Sequence, residues 1–358
     1  MRILYVVSSL KTGGPTNQLF NIISNLHSDF NVRVLTLSSE DIDSQLVRFK
    51  TAGIDVQSLL LSRLQGLLKG KAKLLQAIKD FGPDIIHSHG LRPDTLLAKL
   101  NLKQPWIMTS RNYPFADYPM KFGKLKGLLM AYSHVAAMRK CRYLVSCSKS
   151  IAAQLAGHEL NSVAIQNGVA FADSAEPVEL DTPTPIFITV GSLISRKNTA
   201  CVINAFNKLR EQKAASLYIL GDGPEEAQLK AVAGKDVYFT GSVNNVRSYL
   251  LKADYFISAS LSEGLPNTVL EALAAGLPCL LSDISSHAEI ALEDESCVSL
   301  FQLDQGVEAL LGKMSQIDTA FAAGARGAAL KLATETFSAV SMSGKYQKLY
   351  IEAVESNR

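Results

Sequence analysis

The 358-residue sequence predicts two doubly wound α/β domains, each built on a parallel sheet. Three observations carry that prediction. Short apolar runs alternate with amphipathic helical stretches through both halves, the pattern of repeated βα units. A segment without apolar period, 171–185, is rich in Pro, Asp, Glu and Thr and separates the halves as a linker. The charge also divides there: residues 1–170 hold 21 Lys/Arg against 10 Asp/Glu, and residues 171–358 hold 15 against 23. The domains are expected at 1–170 and 186–336, with a final helical segment over 337–358.

Taken in order, residues 1–10 read as a strand, followed by the loop Lys11-Thr12-Gly13-Gly14-Pro15 and a helix over 16–26. Strand 31–38, a short helix at 43–52 and strand 54–59 come next. A long amphipathic helix spans 63–81, and strand 83–90 ends in His87 and His89. Helix 92–101, strand 105–109, a helix over 121–140, strand 143–148 and helix 149–156 complete the first half. The second half restarts with strand 186–193 and helix 199–211, then strands at 216–221, 237–243 and 253–260. Helix 268–275 is stopped by Gly276 and Pro278, strand 278–281 follows, and residues 304–335 read as helical.

Several classes are excluded or set aside. No run approaches 18 apolar residues, so no membrane span is expected, and the apolar start is too short for a secretory signal. The five cysteines show no CxxC and no metal-ligand spacing, which suits a reduced cytoplasm. Nucleic-acid motifs are absent, so no nucleic-acid partner is expected. Residues 121–142 combine Lys121, Lys124, Lys126, Arg139, Lys140 and Arg142 with an apolar stripe of Leu125, Leu128, Leu129, Tyr132 and Val135, and contain no acidic residue. That pattern is either a packed surface helix or an interfacial helix drawn to anionic lipid.

The most informative stretch is Ser260 to Glu289. Glu263 and Glu271 stand on either side of Gly264-Leu265-Pro266-Asn267-Thr268, where a helix is expected to begin. A helix start offers unpaired N–H groups and a positive dipole end to an anion, and carboxylates accept hydrogen bonds from sugar hydroxyls. A capping box from Thr268 to Glu271 is the alternative reading of the second carboxylate. Arg196 and Lys197, at a strand-to-helix loop, can pair with a pyrophosphate. Arg111 can meet an anionic group or stand as a solvated charge.

EGLPNTVLE followed by ALAAGLPCLLSDI resembles the nucleotide-sugar signature of the family 4 glycosyltransferases, and D-x-x-H-x-H (DIIHSHG), Asn167-Gly168-Val169 and Gly221-Asp222-Gly223-Pro224 are similar to further stretches of that family. The resemblance implies two Rossmann-like domains facing a cleft, the GT-B arrangement. It also implies a retaining hexosyl or N-acetylhexosaminyl transfer from a nucleotide-diphosphate sugar, UDP favoured over GDP-mannose. By the same resemblance Gly13, Gly14, Gly221, Gly264, Leu265, Pro266, Asn267, Thr268 and Glu271 bind the donor. Arg196, Lys197 and Glu263 bind it and act in catalysis together with His89, and His89, Arg111 and Asn112 lie on the acceptor side. No metal or other cofactor is implied. The acceptor is expected to be a saccharide or a lipid-diphosphate-linked saccharide in cell-surface polysaccharide synthesis, on a cytoplasmic enzyme with peripheral contact to the inner membrane face. Ser192 stands where the family often has Arg, so the division of roles between Arg196 and Lys197 is open. A nucleotide-sugar 2-epimerase and a non-catalytic binding protein are the competing readings.

Overall fold

The computed structural model describes all residues except 172–177, 181, 317, 318 and 358, so the expected linker lies partly outside the described residues. Contacts divide the chain into two units, Met1–Gly168 with Ala339–Arg358, and Val169–Ser338.

The first unit holds seven strands: β1 (Arg2–Val7), β2 (Asn31–Thr36), β3 (Asp55–Ser58), β4 (Ile85–His89), β5 (Trp106–Ser110), β6 (Tyr143–Ser146) and β7 (Val163–Ala164). They pair in parallel in the order β3-β2-β1-β4-β5-β6-β7. β1, β4 and β5 are buried almost throughout, as a sheet covered by helices on both faces requires. The strand order reverses between β1 and β4. In such sheets ligands bind beyond the carboxyl ends of the strands at that reversal. The helix Ala339–Glu355 belongs to this unit and buries Tyr346 and Tyr350 against the β1–β4 face.

The second unit holds β8 (Ile186–Val190), β9 (Ser216–Leu220), β10 (Val237–Gly241), β11 (Tyr255–Ser258), β12 (Cys279–Ser282) and β13 (Val298–Phe301). Their order, β10-β9-β8-β11-β12-β13, is again parallel and reverses between β8 and β11. Two apolar clusters cover the two faces of this sheet, one around Phe256 and Val269, the other around Phe187 and Phe206.

The helix Arg63–Phe81 has the predicted bounds and is started by a capping box from Ser62 and Gln65. Elsewhere the structure corrects the expectations. The single helix over 121–140 is two helices, Pro114–Phe122 and Lys124–Met138. Gly123, at φ +83°, takes the left-handed backbone that breaks them. They then fold onto each other so closely that a Cβ on Gly127 would lie 2.4 Å from the Tyr118 carbonyl oxygen. A buried chain pins this pair to the helix Leu91–Leu97: the Tyr118 hydroxyl lies 2.7 Å from His134 Nδ1, and His134 Nε2 lies 2.8 Å from Asp94. The apolar stripe is consequently split, with Val135 buried and Leu125, Leu129 and Tyr132 turned outward. Two helices not foreseen, Glu226–Val232 and Val246–Lys252, follow β9 and β10. The helical segment expected over 304–335 divides into Gly306–Gln316, Thr319–Lys331 and a π turn at Leu332–Thr336.

Candidate active site

In the second unit the chemistry gathers at the carboxyl ends of β8 and β11. The backbone there is unusually close. A Cβ on Gly221 would lie 2.0 Å from the Gly191 carbonyl oxygen, and one on Gly223 would lie 2.4 Å from that of Leu193. Gly221 is therefore required by backbone packing, with φ +129° and its N–H donating to the Gly241 oxygen at 2.8 Å. Gly191 in turn leaves room for the Lys197 chain, whose Cε is 3.2 Å from the place of a Cβ.

This packing delivers two cations to one carboxylate. Lys197 Nζ lies 2.7 Å from Glu263 Oε1, and Arg196 Nη1 lies 2.9 Å from Oε2. The Ser260 hydroxyl donates to Oε1 at 2.9 Å, and Arg196 also donates to the Ser262 carbonyl at 2.5 Å. A carboxylate has about four acceptor positions. Three are filled, which leaves Glu263 roughly one for a further hydroxyl. Burial alone would push its pKa up, but the Lys197 and Arg196 charges outweigh that and bring it down to about 2. Glu263 is ionised at every physiological pH.

Glu271 has the opposite fate. Burial raises its pKa to about 7, and the charge of Lys197 recovers only part of the cost. It does not cap its helix. The helix runs Asn267–Ala274 with Pro266 at the cap position and no side-chain cap bond, so the capping-box alternative is overturned. Pro266 has no side-chain acceptor to offer and fixes its own φ, and the helix begins one residue earlier than expected. Leu265 is buried beneath this turn, and a recess lined by Gly191, Lys197, Thr199, Ser258 and Ser260 opens beside it. His287, unremarked in the sequence, is wholly buried behind the cluster; its Nδ1 lies 2.9 Å from the Ser282 carbonyl oxygen, and burial lowers its pKa to about 4.

In the first unit, Gly13 caps the helix Gly14–Ser24 by accepting from the Asn17 N–H at 3.0 Å, and a Cβ placed on it would touch nothing nearer than 4.0 Å. Open space therefore lies before this loop. At the end of β4, His87 and His89 are buried and hydrogen-bonded. Burial, with the neighbouring Arg111 charge, holds both imidazoles well below their ordinary pKa. Arg111 is neither free nor fully solvated. Its Nη1 donates to Asn167 Oδ1 at 2.7 Å and its Nη2 lies 3.3 Å from His89 Nδ1. Its Nε is buried without a partner. Asn112 turns its amide to Asp117 at 2.5 Å, so its nitrogen holds the start of helix Pro114–Phe122.

This arrangement can be set beside known proteins. The model described as Glycosyltransferase Family 4 matches residues 12–172, and that described as Glycosyl transferases group 1 matches residues 184–317. An O-antigen biosynthesis glycosyltransferase of Escherichia coli, WclY, is 28% identical over 331 residues, covering 84% of each chain. Sucrose-phosphate synthase from Thermosynechococcus elongatus superimposes with a TM-score of 0.81 at 16% identity, over 99% of this chain and all of that one. HepE of Anabaena, solved with UDP-glucose, gives 0.78 at 15% identity, over 98% of this chain and all of that one. Fold and family models together define a glycosyltransferase of the two-domain B type. The chain belongs to the family 4 glycosyltransferases.

Proposed function

We propose that the protein transfers a hexosyl or N-acetylhexosaminyl unit, with retention, from a UDP-sugar to a lipid-linked saccharide during cell-surface polysaccharide synthesis. The observation that carries this is the Arg196–Glu263–Lys197 cluster beside the amino end of helix Asn267–Ala274. As the bond from the anomeric carbon to the diphosphate breaks, negative charge grows on the departing oxygen. Lys197, with two of its three donors left after Glu263, and the first backbone N–H groups of that helix stabilise it, a preorganised electrostatic contribution. Arg196 donates through Nη1 to both the Ser262 carbonyl and Glu263, and so fixes Glu263. Glu263 offers its remaining acceptor position to a hydroxyl of the transferred sugar, and Glu271 accepts the ribose hydroxyls. The acceptor hydroxyl oxygen then bonds to the anomeric carbon on the face the phosphate leaves, and its proton passes to that phosphate. No metal is needed in this scheme, since Lys197 and the helix end supply the positive charge.

The preference for UDP follows HepE, which was solved with UDP-glucose, and the polysaccharide role follows the naming of WclY. The lipid-linked acceptor rests on the first unit's surface. Leu67 and Leu68 of helix Arg63–Phe81, and Leu125 and Leu129 of helix Lys124–Met138, are 65–78% exposed. Lys69 and Lys71 lie near the first pair and Lys121, Lys124 and Lys126 near the second. Exposed leucines ringed by lysines suit an anionic lipid surface, each lysine contributing about 1 kcal/mol. Among the described residues no helix is long and apolar enough to cross a membrane. The test is transfer from a UDP-sugar panel to lipid-diphosphate saccharides, with the product anomer read by NMR, with and without EDTA. Retained configuration and EDTA-resistant turnover are expected; inversion, or donor hydrolysis alone, would contradict the proposal.

A further inference from the structure

The six histidines include two whose protons can be ordered from their neighbours. Arginine has donors only, so His89 Nδ1, 3.3 Å from Arg111 Nη2, must accept. A neutral imidazole has one N–H, and burial keeps His89 neutral. That proton therefore sits on Nε2 and is donated to His87 Nε2, 3.0 Å away. His87 must then carry its own proton on Nδ1 and donate it to the Tyr350 hydroxyl at 2.8 Å. Tyr350 passes the direction on to the Tyr5 hydroxyl, 2.9 Å away. Thr109 Oγ1 lies 2.8 Å from the same His87 nitrogen, whose single lone pair is taken by His89, and 3.0 Å from the Tyr346 hydroxyl.

The reverse order fails at one place. If His87 carried its proton on Nε2, His89 would accept there and hold its own on Nδ1, pointing a donor at the guanidinium. We propose that Tyr350, from the helix Ala339–Glu355, is a positioning residue that acts through His87 to keep His89 as the Nε2–H tautomer and so to aim Arg111. Both ring nitrogens of His89 are engaged in this order, so His89 does not take the acceptor's proton; it orients. Arg111, held by His89 on one nitrogen and by Asn167 on another, is the group that meets the acceptor's phosphate. That last step rests on the function proposed above.

The experiment uses full-length protein with ¹⁵N-labelled histidine. Long-range ¹H–¹⁵N correlation of the unaltered protein reads the tautomers without any variant. His89 is expected protonated on Nε2 and His87 on Nδ1; His89 protonated on Nδ1 overturns the relay. Tyr350→Phe should move His87 toward the Nε2–H form and raise the acceptor KM about tenfold with the donor KM unchanged. Tyr346→Phe should leave both tautomers in place. Shifted tautomers with an unchanged acceptor KM, or unshifted tautomers in Tyr350→Phe, overturn the positioning role. Absence of turnover in the unaltered protein overturns the transferase reading and the positioning role with it, while the spectrum still decides the proton order.

Discussion

At the end of β11 two cations share one buried carboxylate, while at the end of β4 a line of neutral groups runs from two tyrosines through two histidines to a single arginine. Both ends lie at the strand-order reversal of a parallel sheet. The topology is the same and the electrostatics are not. Ions in a desolvated recess respond strongly to loss of a partner and to acid. A neutral relay fixes geometry instead, and responds weakly to both.

The largest effect is expected from Lys197→Met. It removes the proposed cation at the leaving group, and the rate should fall by about 10²–10³; a loss under fivefold would remove Lys197 from the chemistry. Acid should come next. The folded pKa of Glu263, about 2, lies below the ordinary value of 4.5. Its ionised form is thus favoured by the fold, so its stabilising contribution is fully present above about pH 4.5 and is lost as pH falls toward 2. At about 1.4 kcal/mol per pKa unit that amounts to about 3 kcal/mol. The stability difference between wild type and Glu263→Gln in chemical denaturation should therefore narrow from pH 7 to pH 3; parallel curves would deny the ion cluster its weight.

How much of this the sequence revealed depended on whether the cause was local. Strand positions and the helix Arg63–Phe81 followed from periodicity, which acts within a few residues. The Glu263–Lys197 contact joins residues 66 apart and could be expected only through resemblance. Gly123 gave no sign that it would break a helix, because a glycine is tolerated inside one until packing such as that at Gly127 makes the alternative better. Glu271 read equally as a cap because the spacing fits; Pro266, which starts the helix early, decides against it. His87 and His89 were visible as a motif, but their proton order runs from Arg111 to Tyr350, the latter more than 250 residues away in sequence.

A third contrast sits within the second unit. Glu271, with a pKa raised to about 7, is the stronger acceptor of ribose hydroxyls when ionised. Nucleotide affinity should therefore rise with pH up to about 7 and weaken below it; a flat profile from pH 5.5 to 8 would place the ribose elsewhere. The smallest effect is expected in the relay. Tyr346→Phe removes one hydrogen bond to Thr109 and should cost about 1 kcal/mol of stability. Its cost should not change between pH 6 and 8, because both histidines titrate well below their ordinary range.

The central claim is that the donor's diphosphate is held in the second unit by Lys197. Calorimetric titration of UDP at pH 8 into wild type, Lys197→Met and Arg111→Met tests it directly. The account predicts binding weakened about tenfold or more in Lys197→Met, as loss of a charge-assisted contact requires, and left within about twofold in Arg111→Met. Equal UDP affinity in wild type and Lys197→Met, or a loss confined to Arg111→Met, would contradict it.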